Sequence, residues 1–148
     1  MSPKEATRST TFTPEFSGQR QSYEIVGTIE SQSDHGLVIT ALYEVLKARG
    51  FNAGNDRHRD LFLATRDGTI THLFEAKTEL STTSLYEGVG QLMLLGALRP
   101  TKPKRILVLP RRPVALRATL KRIGIRLVTY EWTDSKPMFH GLDEAVEG

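Results

Sequence analysis

The sequence predicts an α/β domain with a mixed central β-sheet and helices on both of its faces. A helical pattern of apolar residues ends at Gly50, two apolar runs flank Asp67-Gly68, and helical and strand patterns then alternate. Apolar runs around Asp-Gly are typical of an antiparallel hairpin. The strand–helix–strand order that follows implies parallel neighbours, so the sheet is expected to contain both kinds of pairing.

The first helix is predicted to run to about Arg49, with Ser31 and Ser33 as candidate N-caps and Gly50 at its end. Its apolar residues recur at helical spacing and form one face: Leu37, Val38, Ala41, Leu42, Val45 and Leu46. Residues 1–20 are rich in Ser, Thr, Pro and charge without periodicity, so we expect a flexible arm there. Residues 23–29 are a candidate short strand.

The hairpin is predicted to join strands at residues 60–65 and 70–74 through a two-residue turn at Asp67-Gly68. A type I′ turn fits because both of its central residues need positive φ. The later patterns predict, in order, a helix, a strand, a basic helix and a strand, at residues 83–98, 106–109, 113–123 and 125–132. We expect the domain to span residues 21–135 and residues 136–148 to form a loose tail.

The composition excludes several classes of protein. With 148 residues, 39% hydrophobic and 25% charged, the chain has the size and composition of one globular domain. The absence of cysteine excludes disulfides and thiolate zinc sites, and the histidines show no close pairing. No apolar run approaches the roughly 20 residues that span a bilayer, and the N-terminus lacks a secretory signal. We therefore expect a cytoplasmic protein without a membrane partner.

Basic residues are concentrated in one part of the chain. Half of the Lys and Arg residues lie between Gly88 and Tyr130, a segment that contains no Asp or Glu. A surface of one sign favours a polyanion, with nucleic acid as the first candidate. The alternative is a solvated basic face that only aids solubility. The charge pattern by itself does not separate the two.

The predicted hairpin places three charged side chains at its open end. Counting back from the turn puts Asp60 opposite Glu75, with Cβ atoms about 4.5–5.5 Å apart. Lys77 shares the face of Glu75 because strand side chains alternate. Opposed carboxylates repel each other, and a shared Mg²⁺ or Mn²⁺ ion would relieve the repulsion. The carbonyl of Ala76 is a further candidate ligand.

A structural role for these charges is the alternative, with Lys77 merely bridging two acids on a surface hairpin. The neighbouring residues argue against it because they suit strands buried on both faces: Leu61, Phe62, Leu63, Leu73, Phe74 and Ala76. Charges among such residues need a reason. We interpret them as a catalytic site in which Lys77 orients the attacking water or stabilises the transition state.

Asp60, fourteen intervening residues and then Glu75-Ala76-Lys77 resemble the PD-(D/E)XK nuclease superfamily. In that superfamily the acid begins the second core strand and the (D/E)XK element ends the third. The resemblance covers residues 33–132, although Arg59 stands where the name-giving proline would be. It implies a restriction endonuclease-like fold and a Mg²⁺- or Mn²⁺-dependent nuclease. Asp60, Glu75 and the Ala76 carbonyl would be the metal ligands, and Lys77 would be catalytic.

Other residues match the superfamily less closely. Gln91 resembles a glutamine of the helicase–nuclease branch and is a candidate accessory catalytic residue, but Leu95 occupies the aromatic position one turn later. The alternative for Gln91 is the polar edge of a core helix. Glu30 and Glu44 are candidates for an acid that some members add from the first helix. His35 is a candidate phosphate contact, with a capping or packed residue as the alternative.

Two other functions stay open. The chain could be a catalytically inactive nucleic-acid-binding module of the same fold, or a protein-interaction domain whose acids and basic face serve a partner. Metal binding would separate both from a nuclease. The resemblance alone favours DNA over RNA as the substrate. A homodimer would suit two-strand cleavage by so small a domain.

Overall fold

The computed structural model describes residues 11–14, 27–97, 102–110 and 114–147. Within these residues, six strands form one sheet and four helices pack on it. In chain order the elements are α1 (Gly27–Ala48), β1 (Ala53–Gly54), β2 (Leu61–Ala64), β3 (Ile70–Ala76), α2 (Thr82–Ala97), β4 (Lys104–Leu109), α3 (Val114–Arg122), β5 (Ile125–Thr133), β6 (Lys136–His140) and α4 (Leu142–Val146). None of the helices in the described ranges is long and apolar enough to cross a membrane.

The sheet is mixed, as the sequence predicts. Its strands lie in chain order from β1 to β6. The β3–β4 and β4–β5 pairs are parallel, and the other three pairs are antiparallel. Parallel neighbours need a long crossover connection, which α2 and α3 provide.

Both faces of the sheet are covered by helices, which confirms the predicted layering. Successive side chains of a strand point to opposite faces, and Leu107 and Val108 of β4 accordingly belong to different apolar clusters. The cluster that contains Val108 packs against α1 and α4. The cluster that contains Leu107 packs against α2 and α3. Each face therefore has its own core.

The first helix begins earlier than the sequence suggests. Ser31 and Ser33 lie inside α1, so neither is an N-cap. Of the strand predicted at residues 23–29, residues 27–29 are helical, and residues 23–26 lie outside the described residues. Ser33 is buried, so its position is determined by packing and not by its capping preference. The predicted end is confirmed. Gly50 has a φ of 89°, and the N–H groups of Gly50 and Phe51 close the helix on carbonyls three and five residues back.

The turn between β2 and β3 is not the predicted type I′ turn. The N–H of Gly68 donates to the Thr65 carbonyl at 3.0 Å, and the N–H of Thr65 donates to the Thr69 carbonyl at 2.9 Å. Gly68 has a φ of 89°, whereas Asp67 is not among the described residues with positive φ. The loop is therefore a type I turn followed by a left-handed glycine.

A β-bulge next to this turn compensates for the difference. Ala64 pairs with Ile70 but Leu63 pairs with His72, which leaves Thr71 as the extra residue. The Thr71 hydroxyl donates to the Leu63 carbonyl at 3.3 Å. The turn shifts the pairing by one residue and the bulge shifts it back. The strands therefore keep the predicted register towards the open end of the hairpin.

The structure corrects the expectation of a loose tail at residues 136–148. The β6 strand pairs with β5 from Lys136 to His140. Three residues of α4 are buried in the core: Leu142, Ala145 and Val146. Asp134 and Ser135 join the strands and both have positive φ, as a two-residue hairpin turn requires. The domain thus extends at least to residue 147.

Part of the predicted N-terminal arm also packs on the domain. The rings of Phe12 and Tyr43 stack with centroids 4.0 Å apart. Asn55 makes two side-chain hydrogen bonds of 2.7 Å to the backbone of Thr13. The remainder of residues 1–20 lies outside the described residues.

Candidate active site

The open end of the hairpin brings Asp60 and Glu75 together. Leu61 lies opposite Phe74 in the β2–β3 ladder, and the next position towards the open end holds the two acids. Their carboxyl groups are hydrogen-bonded to each other. Glu75 is only 4% exposed, and the side chain of Asp60 is 19% exposed. The two acids that the sequence places opposite each other are therefore in direct contact and largely removed from water.

Asp60 is held by groups from two other elements. Its Oδ2 accepts a hydrogen bond of 2.9 Å from the Ala76 N–H of β3, and His35 Nε2 of α1 lies 3.0 Å from the same atom. Burial raises the pKa of Asp60. The contact with His35 and the hydrogen bonds of Glu75 and Ala76 outweigh burial, so the pKa lies below its usual value. Asp60 is consequently ionised at neutral pH.

The pKa of Glu75 is shifted in the opposite direction. Burial, the charge of Asp60 and their shared hydrogen bond raise the pKa of Glu75 from its ordinary value of 4.5 to about 9. The positive charges of Lys77 and His35 lower it by less. At neutral pH Glu75 therefore keeps its proton and donates it to the Asp60 carboxylate. The pair carries one negative charge instead of two.

Lys77 directly follows β3 and is fixed by its backbone. Its N–H donates to the Val108 carbonyl at 3.0 Å, and its carbonyl accepts from the Tyr130 hydroxyl at 3.5 Å. Its side chain is 18% exposed, and Nζ lies 3.6 Å from Oε2 of Glu87 on α2. The lysine therefore shares the end of the hairpin with the acids while its ammonium group is within reach of solvent.

Helix α2 approaches Lys77 closely because Gly88 has no side chain. A Cβ atom at Gly88 would lie 2.8 Å from Cδ1 of Leu107 and 3.5 Å from Cγ of Lys77. Separations under 3.0 Å are not tolerated without movement, so glycine permits the helix to press on the strand. This contact also brings Glu87 to the lysine.

The Ala76 carbonyl, the third predicted ligand, is placed on one side of β3 by the hydrogen bonds of the neighbouring N–H groups. The N–H and C=O of a strand residue face the same neighbouring strand. The Ala76 N–H donates to Asp60, whereas the next N–H, that of Lys77, donates to β4. The Ala76 carbonyl therefore lies on the Asp60 side of β3.

Gln91 is not brought into this cluster. It is exposed on α2, one turn beyond Glu87, and no hydrogen bond joins it to Asp60, Glu75 or Lys77 among the described residues. Glu44 is exposed on α1, and the side chain of Glu30 lies outside the described part of the chain. Among the less closely matched residues whose side chains are described, His35 alone touches the acid pair. The contact depends on how α1 packs, and the sequence carries no signal for it.

The donor set suits Mg²⁺ or Mn²⁺. Within the described ranges, no three His, Asp or Glu side chains surround a common point. The site offers two carboxyl groups and one carbonyl, a small protein contribution that is usual for Mg²⁺, which keeps waters and takes substrate oxygens. At neutral pH a proton on Glu75 offsets part of the charge of the two acids. A divalent cation could replace it with a gain in charge neutralisation.

Most of the described basic residues between Gly88 and Tyr130 gather at the other end of the sheet. Five of them line a cavity of about 680 Å³ that also contains Glu144: Lys104, Arg105, Arg117, Lys121 and Arg126. In the β3–β4 ladder His72 pairs with Lys104 and Ala76 pairs with Val108, so the cavity and the acids lie at opposite ends of these strands. Arg111 and Arg112 lie outside the described residues. The basic segment as described does not surround the acids.

Without metal, Glu75→Gln is expected to become more stable relative to wild type as the pH rises. The proton is lost near pH 4.5 in the unfolded chain and near pH 9 in the folded one. The stability that it contributes is therefore complete below pH 4.5 and is lost as the pH rises towards 9. The glutamine has no proton to lose. Urea unfolding in EDTA across this range measures the effect, with Glu44→Gln as an exposed control. A difference in unfolding free energy that is the same at every pH would contradict the raised pKa.

Two acids, a lysine and a histidine thus meet where β2 begins and β3 ends. They are carried by an α/β fold with a mixed six-stranded sheet. Comparison with protein-family models, with curated proteins and with solved structures finds no match to this chain.

Proposed function

We propose that the protein is a metal-dependent nuclease that hydrolyses phosphodiester bonds, with DNA as its favoured substrate. The observation that carries the proposal is the buried Asp60–Glu75 pair beside Lys77. Two carboxyl groups in contact and out of water are unfavourable unless something offsets their charge. A site that retains such a pair next to an ammonium group is suited to a divalent cation and a phosphate.

Asp60, Glu75 and the Ala76 carbonyl would hold Mg²⁺ or Mn²⁺. When bound, the ion would lower the pKa of a water molecule and neutralise charge on the phosphate. The contacts from Ala76 and His35 fix the orientation of Asp60, as hydrogen-bonded partners of metal ligands usually do. Lys77 would orient the attacking water or stabilise the negative charge that develops on the phosphate.

The arrangement of the elements supports a restriction endonuclease-like assignment within this proposal. Asp60 directly precedes β2, Glu75 lies near the end of β3, Lys77 follows that strand, and α2 comes next. This is the order that the PD-(D/E)XK resemblance implies. Gln91 stays an accessory candidate that would need DNA or metal to bring it to the site.

The basic cavity favours a second candidate, which is nucleic-acid binding without catalysis. Its five cations lie at the end of the sheet away from the acids, so they could hold phosphates whether or not the acids act. Such a module would bind DNA with strong salt dependence but would need no metal. A protein-interaction domain would need neither DNA nor metal.

Incubation of the pure protein with supercoiled, linear, branched and single-stranded DNA, with Mg²⁺, Mn²⁺ or EDTA, tests the proposal. We expect cleavage that requires the metal. Asp60→Asn should reduce the rate by at least about 100-fold, since loss of mere supporting contacts to a metal costs about 10–100-fold. Glu44→Gln, an exposed acid on α1, should cut like wild type. Equal cleavage by Asp60→Asn would place the reaction elsewhere, and DNA binding without any cleavage would support the second candidate.

A further inference from the structure

A cavity of about 890 Å³ adjoins the candidate active site at the carboxyl ends of β3 and β4. Its wall begins at Thr78, the residue directly after Lys77, and continues over β5 to His140 of β6. Tyr130, which also lines it, donates its hydroxyl to the Lys77 carbonyl. The cavity is therefore one residue away from the lysine, and its wall is hydrogen-bonded to the lysine's backbone.

Trp132 supplies an aromatic wall to this cavity. It is half-buried and packs against the core cluster on the α1 side of the sheet. The ring of Tyr130 meets it edge-on, with centroids 5.9 Å apart and an interplanar angle of 88°. An indole held in this way has little freedom to lose on binding a flat ligand.

The polar lining differs from that of a phosphate site. Thr78, Glu79, Thr129, Glu131 and His140 contribute to the wall, and no Lys or Arg stands among its described lining residues. His140 lies 3.8 Å from Glu131. Carboxylates repel phosphates but accept hydrogen bonds from base N–H groups, whereas threonine hydroxyls both donate and accept. The lining therefore suits a nucleobase.

We propose that the cavity receives an unstacked base of a single strand, so that the substrate class is single-stranded or frayed nucleic acid. That this strand is also the one that is cleaved rests on the proposed function, in which Lys77 binds the phosphate. The wall of the cavity begins at the residue next to Lys77, so a nucleotide whose phosphate lies at Lys77 would have a base close to the cavity. A base inside a duplex must leave its stack first, at a cost in free energy. A strand that is already open avoids this cost.

Trp132 is the chain's one tryptophan, so intrinsic fluorescence reports on the cavity directly. The metal-free protein is titrated in EDTA with an oligo(dT) of about 12 nucleotides, a length within the site sizes of single-strand binders. We expect saturable quenching of the fluorescence. A blunt-ended duplex at the same nucleotide concentration should quench much less.

Variants separate stacking from general attraction. Trp132→Ala should weaken binding of a labelled oligo(dT) about tenfold, measured by fluorescence anisotropy, because stacking on one aromatic ring contributes about that much. Trp132→Phe should retain most of the affinity. Met138→Ala is the matched control, since Met138 is exposed on β6 and is not part of the cavity wall. Melting temperatures establish that each variant is folded. The fluorescence titration of the wild-type protein tests the inference even if a variant does not fold.

Equal quenching by duplex and single strand, or no quenching at all, would overturn the inference. Unchanged affinity in a folded Trp132→Ala protein would do the same. Because every titration is made in EDTA, the outcome does not depend on cleavage. If oligo(dT) quenches the fluorescence but the protein never cuts DNA, the base-binding cavity is supported and the nuclease proposal is wrong. If the protein cuts DNA but oligo(dT) does not quench the fluorescence, only the base-binding cavity is wrong.

Discussion

Mn²⁺ is expected to bind the wild-type protein about tenfold more tightly for each unit of pH between about 6 and 8, because one proton must leave when the ion binds. The proton is that of Glu75, whose pKa is raised to about 9, while Asp60 is already ionised. An ordinary histidine has a pKa of about 6.5 and is largely neutral above about pH 7.5, and metal affinity should keep rising beyond that pH. This distinguishes Glu75 from His35 as the source of the proton.

Isothermal calorimetry in two buffers of different ionisation enthalpy measures both the affinity and the proton count. We expect close to one proton released per ion at neutral pH. Glu75→Gln should bind more weakly and release none. Asp60→Asn removes the charge that holds up the pKa of Glu75, so the remaining binding should depend less on pH. An affinity that does not change with pH in the wild type would mean that Glu75 is not a ligand.

The proton on Glu75 changes how the acid pair is interpreted. From the sequence alone, Asp60 and Glu75 are two negative charges whose repulsion calls for a metal. Burial and proximity instead leave one of the two carboxyl groups neutral at physiological pH. Repulsion therefore does not by itself require a metal, because a proton relieves it as well. A cation would compete with that proton, and the pH experiment measures this competition.

Some features of the β2–β3 hairpin could be predicted from the sequence and others could not. Hydrophobic patterning and Asp-Gly correctly predicted two strands and a turn. The assumed turn type was wrong, and the bulge at Thr71 was not foreseen because it depends on hydrogen bonding between the strands. The two errors cancel, so the acids meet as predicted. The register of the open end followed from the pattern only because the bulge offsets the turn.

Other features depend on packing between distant residues, which a single sequence does not reveal. His35 and Asp60 are 25 residues apart and meet because α1 crosses the end of the hairpin. The strand after Asp134 and Ser135 was missed because neither residue is glycine or asparagine, although both take positive φ. The basic residues form one segment in the sequence, but the fold places five of them at the far end of the sheet from the acids.

Lys77→Ala is expected to reduce the single-turnover cleavage rate by at least about 100- to 1000-fold, which is the usual effect of removing one preorganised charge from a transition state. Lys77 lies at the end of the hairpin with its ammonium group paired only loosely, at 3.6 Å, with an exposed part of α2. A phosphate could therefore displace Glu87 from it. Lys77→Arg should not restore the rate, because the planar guanidinium differs in shape and hydration from an ammonium group. The close approach of α2 at Gly88 also leaves little room for a larger side chain at position 77.

A purely structural lysine predicts a different pattern of effects. The charge of Lys77 lowers the pKa of Glu75, so its removal raises that pKa and weakens metal binding near neutral pH. The rate is therefore measured at saturating Mn²⁺ and at about pH 9, where the proton competes with the metal less than it does at neutral pH. Lys136→Ala on β6, which removes an exposed lysine, is the control. If Lys77 acts in the chemical step, the rate stays low under these conditions although the melting temperature is retained and the site is saturated with metal. If it is only a counter-ion, saturation with metal restores the rate, and the reaction would then have to proceed without the third residue of the proposed site.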